Sequence, residues 1–211
     1  MLCEYRITLE PQDIETANPK SRAVLEKALE QVGFIPNMYA YMVNSPGLLD
    51  SYLHGYAAFR SESGFTPPEQ EVIFLAISRE HGCEYCVSAH SMLADVKSLL
   101  DPAVTDAIRD DTAIPDPRLA ALAEFTRIMV RSRGLPSHAE VMAFLEAEFK
   151  QRHILEVVLA IAVKTLSNYA NHLCHTPLDS LFESRRWTDA TVYTPGNNVV
   201  RSPTIGKAGR R

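Results

Sequence analysis

The sequence predicts an all-α fold. Three observations carry that prediction. Apolar residues recur at spacings of three and four in segment after segment. Capping side chains and prolines mark one helix start after another. No pair of alternating segments joined by a tight turn is present to build a hairpin.

The elements follow in order. Residues 1–20 are polar, contain Pro11 and Pro19, and read as an N-terminal arm. Ser21 caps a first helix reaching Val32, with Val24, Leu25, Ala28 and Leu29 on one stripe and Gly33 as its stop. An apolar turn, Phe34 to Asn37, leads to a short helix from Met38 to Val43, halted before Pro46. Leu48 to Ser61 makes the next helix, its stripe formed by Leu49, Tyr52, Leu53, Tyr56 and Phe59. Thr66-Pro67-Pro68-Glu69 is a strong start signal: a capping hydroxyl, two prolines in the first turn, and an acid three residues after the cap. The helix that follows is apolar almost all round from Val72 to Ile77 and is expected to be central and buried. It breaks at His81-Gly82, and a further helix runs from Cys83 to about Leu99. Shorter helices are expected at Ala103 to Arg109, Arg118 to Arg131 and His138 to Phe149, and a long one from His153 to Cys174. The breaks at Gly64 and Gly134 both precede such helices, a faint echo that suggests a duplicated helical unit. The helical domain is assigned to 21–183 and a polar tail to 184–211.

Composition narrows the function. The 211 residues are 46% apolar and 22% charged, ordinary usage for a globular domain. A net charge of -5 gives no electrostatic footprint for nucleic acid or an anionic membrane. The longest apolar run, Val157 to Val163, is far short of the ~20 residues of a membrane span. The first residues lack a basic stretch followed by an apolar one, so the expected location is the cytoplasm. Cysteines there are more often catalytic or metal-binding than structural bridges.

The chemistry concentrates in Cys83-Glu84-Tyr85-Cys86-Val87-Ser88-Ala89-His90. On a helix, Cys83, Cys86 and His90 share one face. Gly82 places them at the first turn, where free N–H groups and the dipole favour a thiolate. An imidazole four residues from Cys86 can take its proton or stabilise its anion. A dithiol at this spacing also closes into a disulfide, one thiolate attacking an electrophile and the other resolving the product. Spacing leaves the roles open: Cys86 stands nearer the base, Cys83 nearer the helix end. Glu71, beside the apolar run of the central helix, can orient His90 if the break at Gly82 folds the two helices together. Zinc is the competing use, with His172, Cys174 or His175 for a fourth ligand. Tyr85 reads as a packing or pocket-lining aromatic, and Cys3 and Cys174 as ordinary thiols.

The spacing Glu71-x11-Cys83-x2-Cys86-x3-His90 resembles the alkylhydroperoxidase AhpD-like proteins of the carboxymuconolactone decarboxylase superfamily. Gly33 to Asn37, followed by a helix and Pro46, resembles the longer peroxidase-related branch. The likeness covers about Ser21 to Glu183. It implies an all-α AhpD-like bundle that assembles as a homo-oligomer. It further implies Cys86 as attacking thiolate on a hydroperoxide, Cys83 as resolving thiol, and Glu71 and His90 as a proton relay. A thiol or disulfide reductant is the implied partner, with no metal or organic cofactor. Tyr85 stands where AhpD often has a second histidine. The family's decarboxylase branch, a lyase, and a non-enzymatic redox sensor are the alternatives. For the lyase, Arg79 is the only cation near the motif in sequence. Self-association is expected because the Leu48–Ser61 stripe and the central helix present more apolar surface than a small bundle easily covers.

Overall fold

The computed structural model describes residues 4–189. Among the described residues, nine α-helices run α1 Pro19–Val32, α2 Asn37–Met42, α3 Pro46–Glu62, α4 Pro67–Glu80, α5 Glu84–Leu93, α6 Pro102–Asp110, α7 Pro117–Arg131, α8 His138–Glu146 and α9 Gln151–Cys174. A π turn, Ala94–Ser98, prolongs α5, and a 3-10 turn, Ser180–Arg185, follows α9. There is no strand among the described residues, and none of their helices is long and apolar enough to cross a membrane.

Local chemistry sets the boundaries. Asn18, not Ser21, caps α1: its carboxamide accepts from the Lys20 and Ser21 amides, and Pro19 occupies the first turn. Ser21 is buried and donates to the Val43 carbonyl, tying α1 to α2. Proline likewise opens α3, α6 and α7 one or two residues before the expected starts, because its missing N–H costs nothing there. Thr66 and Glu69 form the expected capping box on α4, and Ser137 and Glu140 form a second one on α8. The two start signals of the sequence echo are therefore alike in geometry. The helix expected to run to Leu99 loses its α register at Ala94, and the π turn ends on Leu99 at φ 53°.

Helix α4 is the axis. Every residue from Glu69 to Ser78 is buried, with α5, α6, α7 and α9 packed around it and α3 reaching it through Tyr56 and Phe59 on the Phe74 ring. Two apolar clusters flank it. One joins α4, α7 and α8 through the stacked rings Phe125, Phe144 and Phe149, 4.2 and 4.7 Å apart. The other joins α1, α2, α3 and α5. Phe144 is stacked on both sides and far from the cysteines in sequence and packing, so Phe144→Ala is expected to cost about 3–5 kcal/mol. Urea unfolding checks this, with thiol reactivity in native buffer unchanged.

The stripe on α3 is spent inside the chain: Leu49, Leu53 and Phe59 are fully buried. The expectation of a homo-oligomer loses that support. Residues 4–18 lie along the bundle, with the Ile7 amide donating to Leu173 and the Gln12 amide to Ala40. Of the segment read as a tail, residues 184–189 are docked. Trp187 is 7% exposed, stacks under the Arg79 guanidinium at 5.0 Å, and donates Nε1–H to the Arg109 carbonyl. Residues 190–211 and Cys3 lie outside the described residues.

Candidate active site

The site begins with the way α4 ends. His81 closes the helix and Gly82 takes φ 67°, a conformation L side chains rarely adopt. The Cys83 amide donates to the Ser78 carbonyl and the Gly82 amide to Arg79, which makes this a Schellman motif. Its last residue, Cys83, is at once the N-cap of α5. The break thus folds α5 back against α4, and His90 meets Glu71 nineteen positions earlier: Nδ1–H donates to Oε2 at 2.8 Å.

Two further helices complete the site with residues the sequence reading missed. Arg60, in the last turn of α3, donates to Glu71 Oε1 at 2.5 Å and to the Tyr56 hydroxyl at 2.7 Å. Lys164 of α9 is wholly buried, and its Nζ lies 2.8 Å from His90 Nε2. Gly55 lets α9 come this close, since a Cβ there would stand 2.8 Å from Val163 Cγ2. Asn171, two turns further along α9, donates Nδ2–H to Cys86 Sγ at 3.3 Å and approaches Cys83 Sγ at 3.8 Å. Arg60 and Lys164 both lie over the Phe74 ring, at 4.8 and 5.6 Å, a favourable face for cations. Arg79, the cation nearest in sequence, is turned away to Trp187 and Arg109. Helix packing brings Arg60 and Lys164 in from outside the motif, which overturns the expectation that Arg79 is the only cation at hand.

The electrostatics follow from this order. Burial disfavours an ionised Glu71, but its hydrogen bond from His90 and the Arg60 guanidinium outweigh that and hold it below the ordinary carboxylate range. Burial and the adjacent ammonium push His90 down, so the ring is neutral, with Nδ1–H toward Glu71 and Nε2 accepting from Lys164. The two thiols diverge. Burial, together with the hydrogen bond it donates to Cys86, pushes Cys83 well up. Cys86 is equally buried. Against that burial, the donated Cys83 hydrogen bond and then the charge of Lys164 hold it well below the usual thiol range. An ionised Cys86 also balances the site: Glu71 and Cys86 carry two negative charges, Arg60 and Lys164 two positive ones.

Both cysteines are free thiols, 1% and 2% exposed. Cys86 lines a cavity of about 340 Å³ together with His90, Glu71, Arg60 and Lys164. The remaining walls are largely apolar and aromatic, including Tyr39, Tyr52, Tyr56, Met38 and Phe182. Burial raises the tyrosine phenols, so they stay neutral hydroxyls. Among the described residues no group of three His, Cys, Asp or Glu side chains is arranged to hold a metal ion, so the zinc set is not assembled. Cys174 is buried at the far end of α9.

Comparison with known proteins adds the following. The model of the carboxymuconolactone decarboxylase family matches residues 46–127, from the start of α3 into α7. No curated protein matches the sequence. Solved structures share the fold. One is the alkylhydroperoxidase AhpD core of an uncharacterized peroxidase-related protein from Ralstonia eutropha JMP134, with TM-score 0.72, 21% identity, and coverage of 82% of this chain and 93% of that one. Another is a peroxidase-related protein from Silicibacter sp. TM1040, with TM-score 0.68, 20% identity, and coverage of 85% and 97%. A third is a cysteine-to-alanine variant of the debrominase Bmp8 in complex with 2,3,4-tribromopyrrole, with TM-score 0.68, 15% identity, and coverage of 85% and 96%. At these identities the likeness is one of fold.

Proposed function

We propose, for a chain whose residues 46–127 match the carboxymuconolactone decarboxylase family model and that carries the AhpD-like fold, that it is a dithiol oxidoreductase reducing organic hydroperoxides. One observation carries the reading. Cys86 meets Lys164, Asn171 and Cys83 at the end of an apolar, tyrosine-lined cavity. The Cys86 thiolate attacks the outer oxygen of the hydroperoxide, the O–O bond breaks, and the alkoxide leaves with a proton from the Lys164 ammonium. Cys83 then attacks the Cys86 sulfenic acid; its thiol proton and the departing hydroxide make water, and a disulfide forms. Two electrons leave the thiol pair and reduce the peroxide to alcohol and water. Glu71 and Arg60 fix His90, and His90 fixes Lys164.

The cavity walls support an organic substrate. A phenyl-sized group buried there is worth about 1.5–3 kcal/mol, or roughly ten- to a hundredfold in kcat/KM. Cumene hydroperoxide is therefore expected to outpace hydrogen peroxide by at least about tenfold. With one equivalent, two thiols per chain should disappear into a Cys83–Cys86 bridge on peptide mapping. Loss confined to Cys3 and Cys174, or none, would reject the reading. The lyase alternative gains from Arg60 and Lys164 the cations it lacks in sequence. Both are already engaged, with Glu71, Tyr56 and His90, so the dithiol reading stands first. Fold likeness to a debrominase makes a brominated pyrrole the control electrophile for the same thiol count.

A further inference from the structure

A second cavity, of about 230 Å³, lies on the other side of the cysteine pair. Cys83 lines it and Cys86 does not; Cys86 lines the first cavity and Cys83 does not. Among the described residues, Tyr85 is the one on both walls. Its hydroxyl is clasped by the Asp179 carboxylate, which also accepts from the Asn37 amide. The partition therefore ties α5 to α2 and to the chain after α9. The second cavity also collects unsatisfied polar atoms. Asn171 Oδ1, His172 Nε2 and Thr176 Oγ1 are buried without a hydrogen-bond partner, and all three residues line it. His172 uses its ring to hydrogen-bond the Gly82 backbone as well, which leaves Nε2 as the acceptor.

From these observations, and resting on the dithiol reading above, we propose that the second cavity admits the reductant, a slender aliphatic thiol, which attacks Cys83 while the hydroperoxide is handled on the other side of Tyr85. The step balances. His172 Nε2 takes the thiol proton, and the reductant sulfur bonds to Cys83 Sγ. The Cys83–Cys86 bond breaks, and Cys86 leaves as the thiolate beside Lys164, which has regained from solvent the proton it gave the alkoxide; His172 releases its proton to solvent in turn. A second reductant thiol then displaces the first sulfur from Cys83. Its proton goes to Cys83, and the reductant departs as its own disulfide. The lower-pKa sulfur of a disulfide is the better leaving group, so the electrostatics and the cavities select the same sulfur for attack. A cavity of this size takes the end of a flexible thiol, not a folded protein surface.

The test separates the two half-reactions. The bridge is formed once with cumene hydroperoxide and once with diamide, then reduced with dithiothreitol. Trp187, the single tryptophan, lines the second cavity and supplies the fluorescence signal. Thr176→Phe, which fills the cavity, and His172→Gln, which keeps its bulk but removes the ring base, should each slow reduction at least about tenfold. Oxidation by the hydroperoxide should keep its wild-type rate. Acid quenching during reduction with 2-mercaptoethanol should give a mixed disulfide on Cys83 by mass spectrometry. An adduct on Cys86, or equal slowing of both half-reactions in both variants, overturns the proposal. A bridge that forms with diamide but not with the hydroperoxide defeats the peroxidase reading instead. The reduction measurements then still decide which sulfur is attacked.

Discussion

Lys164→Met is expected to fold and to lose the thiolate character of Cys86. In the wild-type protein Cys86 is held well below the usual thiol range, against its burial, by the Cys83 hydrogen bond and the Lys164 ammonium. The thiolate is the reactive form. Alkylation of Cys86 should therefore stay on its plateau at pH 7 and fall only in acid. Removing the ammonium takes away a charge-assisted partner worth about 1.5–3 kcal/mol, and each 1.4 kcal/mol is about a factor of ten. The titration moves up by about one to two pH units, so the midpoint of iodoacetamide labelling of Cys86 shifts by that much and labelling at pH 7 drops by up to about tenfold. Hydroperoxide turnover falls at least as far, because the alkoxide also loses its proton donor. The variant avoids stranding a charge: once Cys86 reprotonates, Glu71 and Arg60 still neutralise one another, so the penalty for an unpaired buried ion does not arise. Mass mapping of the labelled thiols across pH 5 to 9 is the measurement. An unchanged profile in a folded Lys164→Met protein would mean that Lys164 does not set the reactivity of Cys86.

What the sequence could tell about this site depended on distance along the chain. Glu71, Cys83, Cys86 and His90 lie within one helix–break–helix unit, where 3.6-residue periodicity and the glycine at the break already bring them to one locality. Arg60 and Lys164 arrive from α3 and α9 by tertiary packing, which no local spacing encodes. A signal for Lys164 was nonetheless present. The buried stripe of α9 runs Val157, Ala160, Lys164, Ser167, Asn171 and Cys174, and its steps of three and four continue unbroken while its character turns polar. A lysine and an asparagine on the core face of a helix are costly unless they meet partners, and here the partners are His90 and the two thiols. For Arg60 the signal was weaker, because an arginine in the last turn of a helix is ordinary dipole complementation. The helix starts shifted for a simpler reason. Proline in the first turn moves the helix start one or two residues earlier, which puts the caps at Asn18, Ser45, Asp101 and Asp116. Trp187 was read with the polar tail because one aromatic among polar residues has no period, yet its ring finds Arg79 and the Arg109 carbonyl.

The sharpest separation lies between the two cysteines themselves. Cys86→Ser is expected to abolish turnover by at least about a thousandfold and to leave no thiol consumed by one equivalent of hydroperoxide beyond background. Cys83→Ser should also abolish sustained turnover but still react once, with Cys86 stopping as a sulfenic acid that dimedone traps. The asymmetry follows from magnitudes. As the N-cap of α5, Cys83 has the helix dipole in its favour, an effect of about 0.3–1 kcal/mol. Cys86 has a thiol, a carboxamide and an ammonium around it, and hydrogen bonds to a charged acceptor contribute about 1.5–3 kcal/mol each. Two such donors already exceed the dipole advantage, and the ammonium adds its Coulomb attraction at a sulfur that is only 2% exposed. The thiol at the helix end is therefore the one that stays protonated and donates, and the thiol one turn inside is the one that attacks. Dimedone capture on Cys83 in the Cys86→Ser protein, with none on Cys86 in the Cys83→Ser protein, would reverse that order and with it the roles assigned to the two cavities.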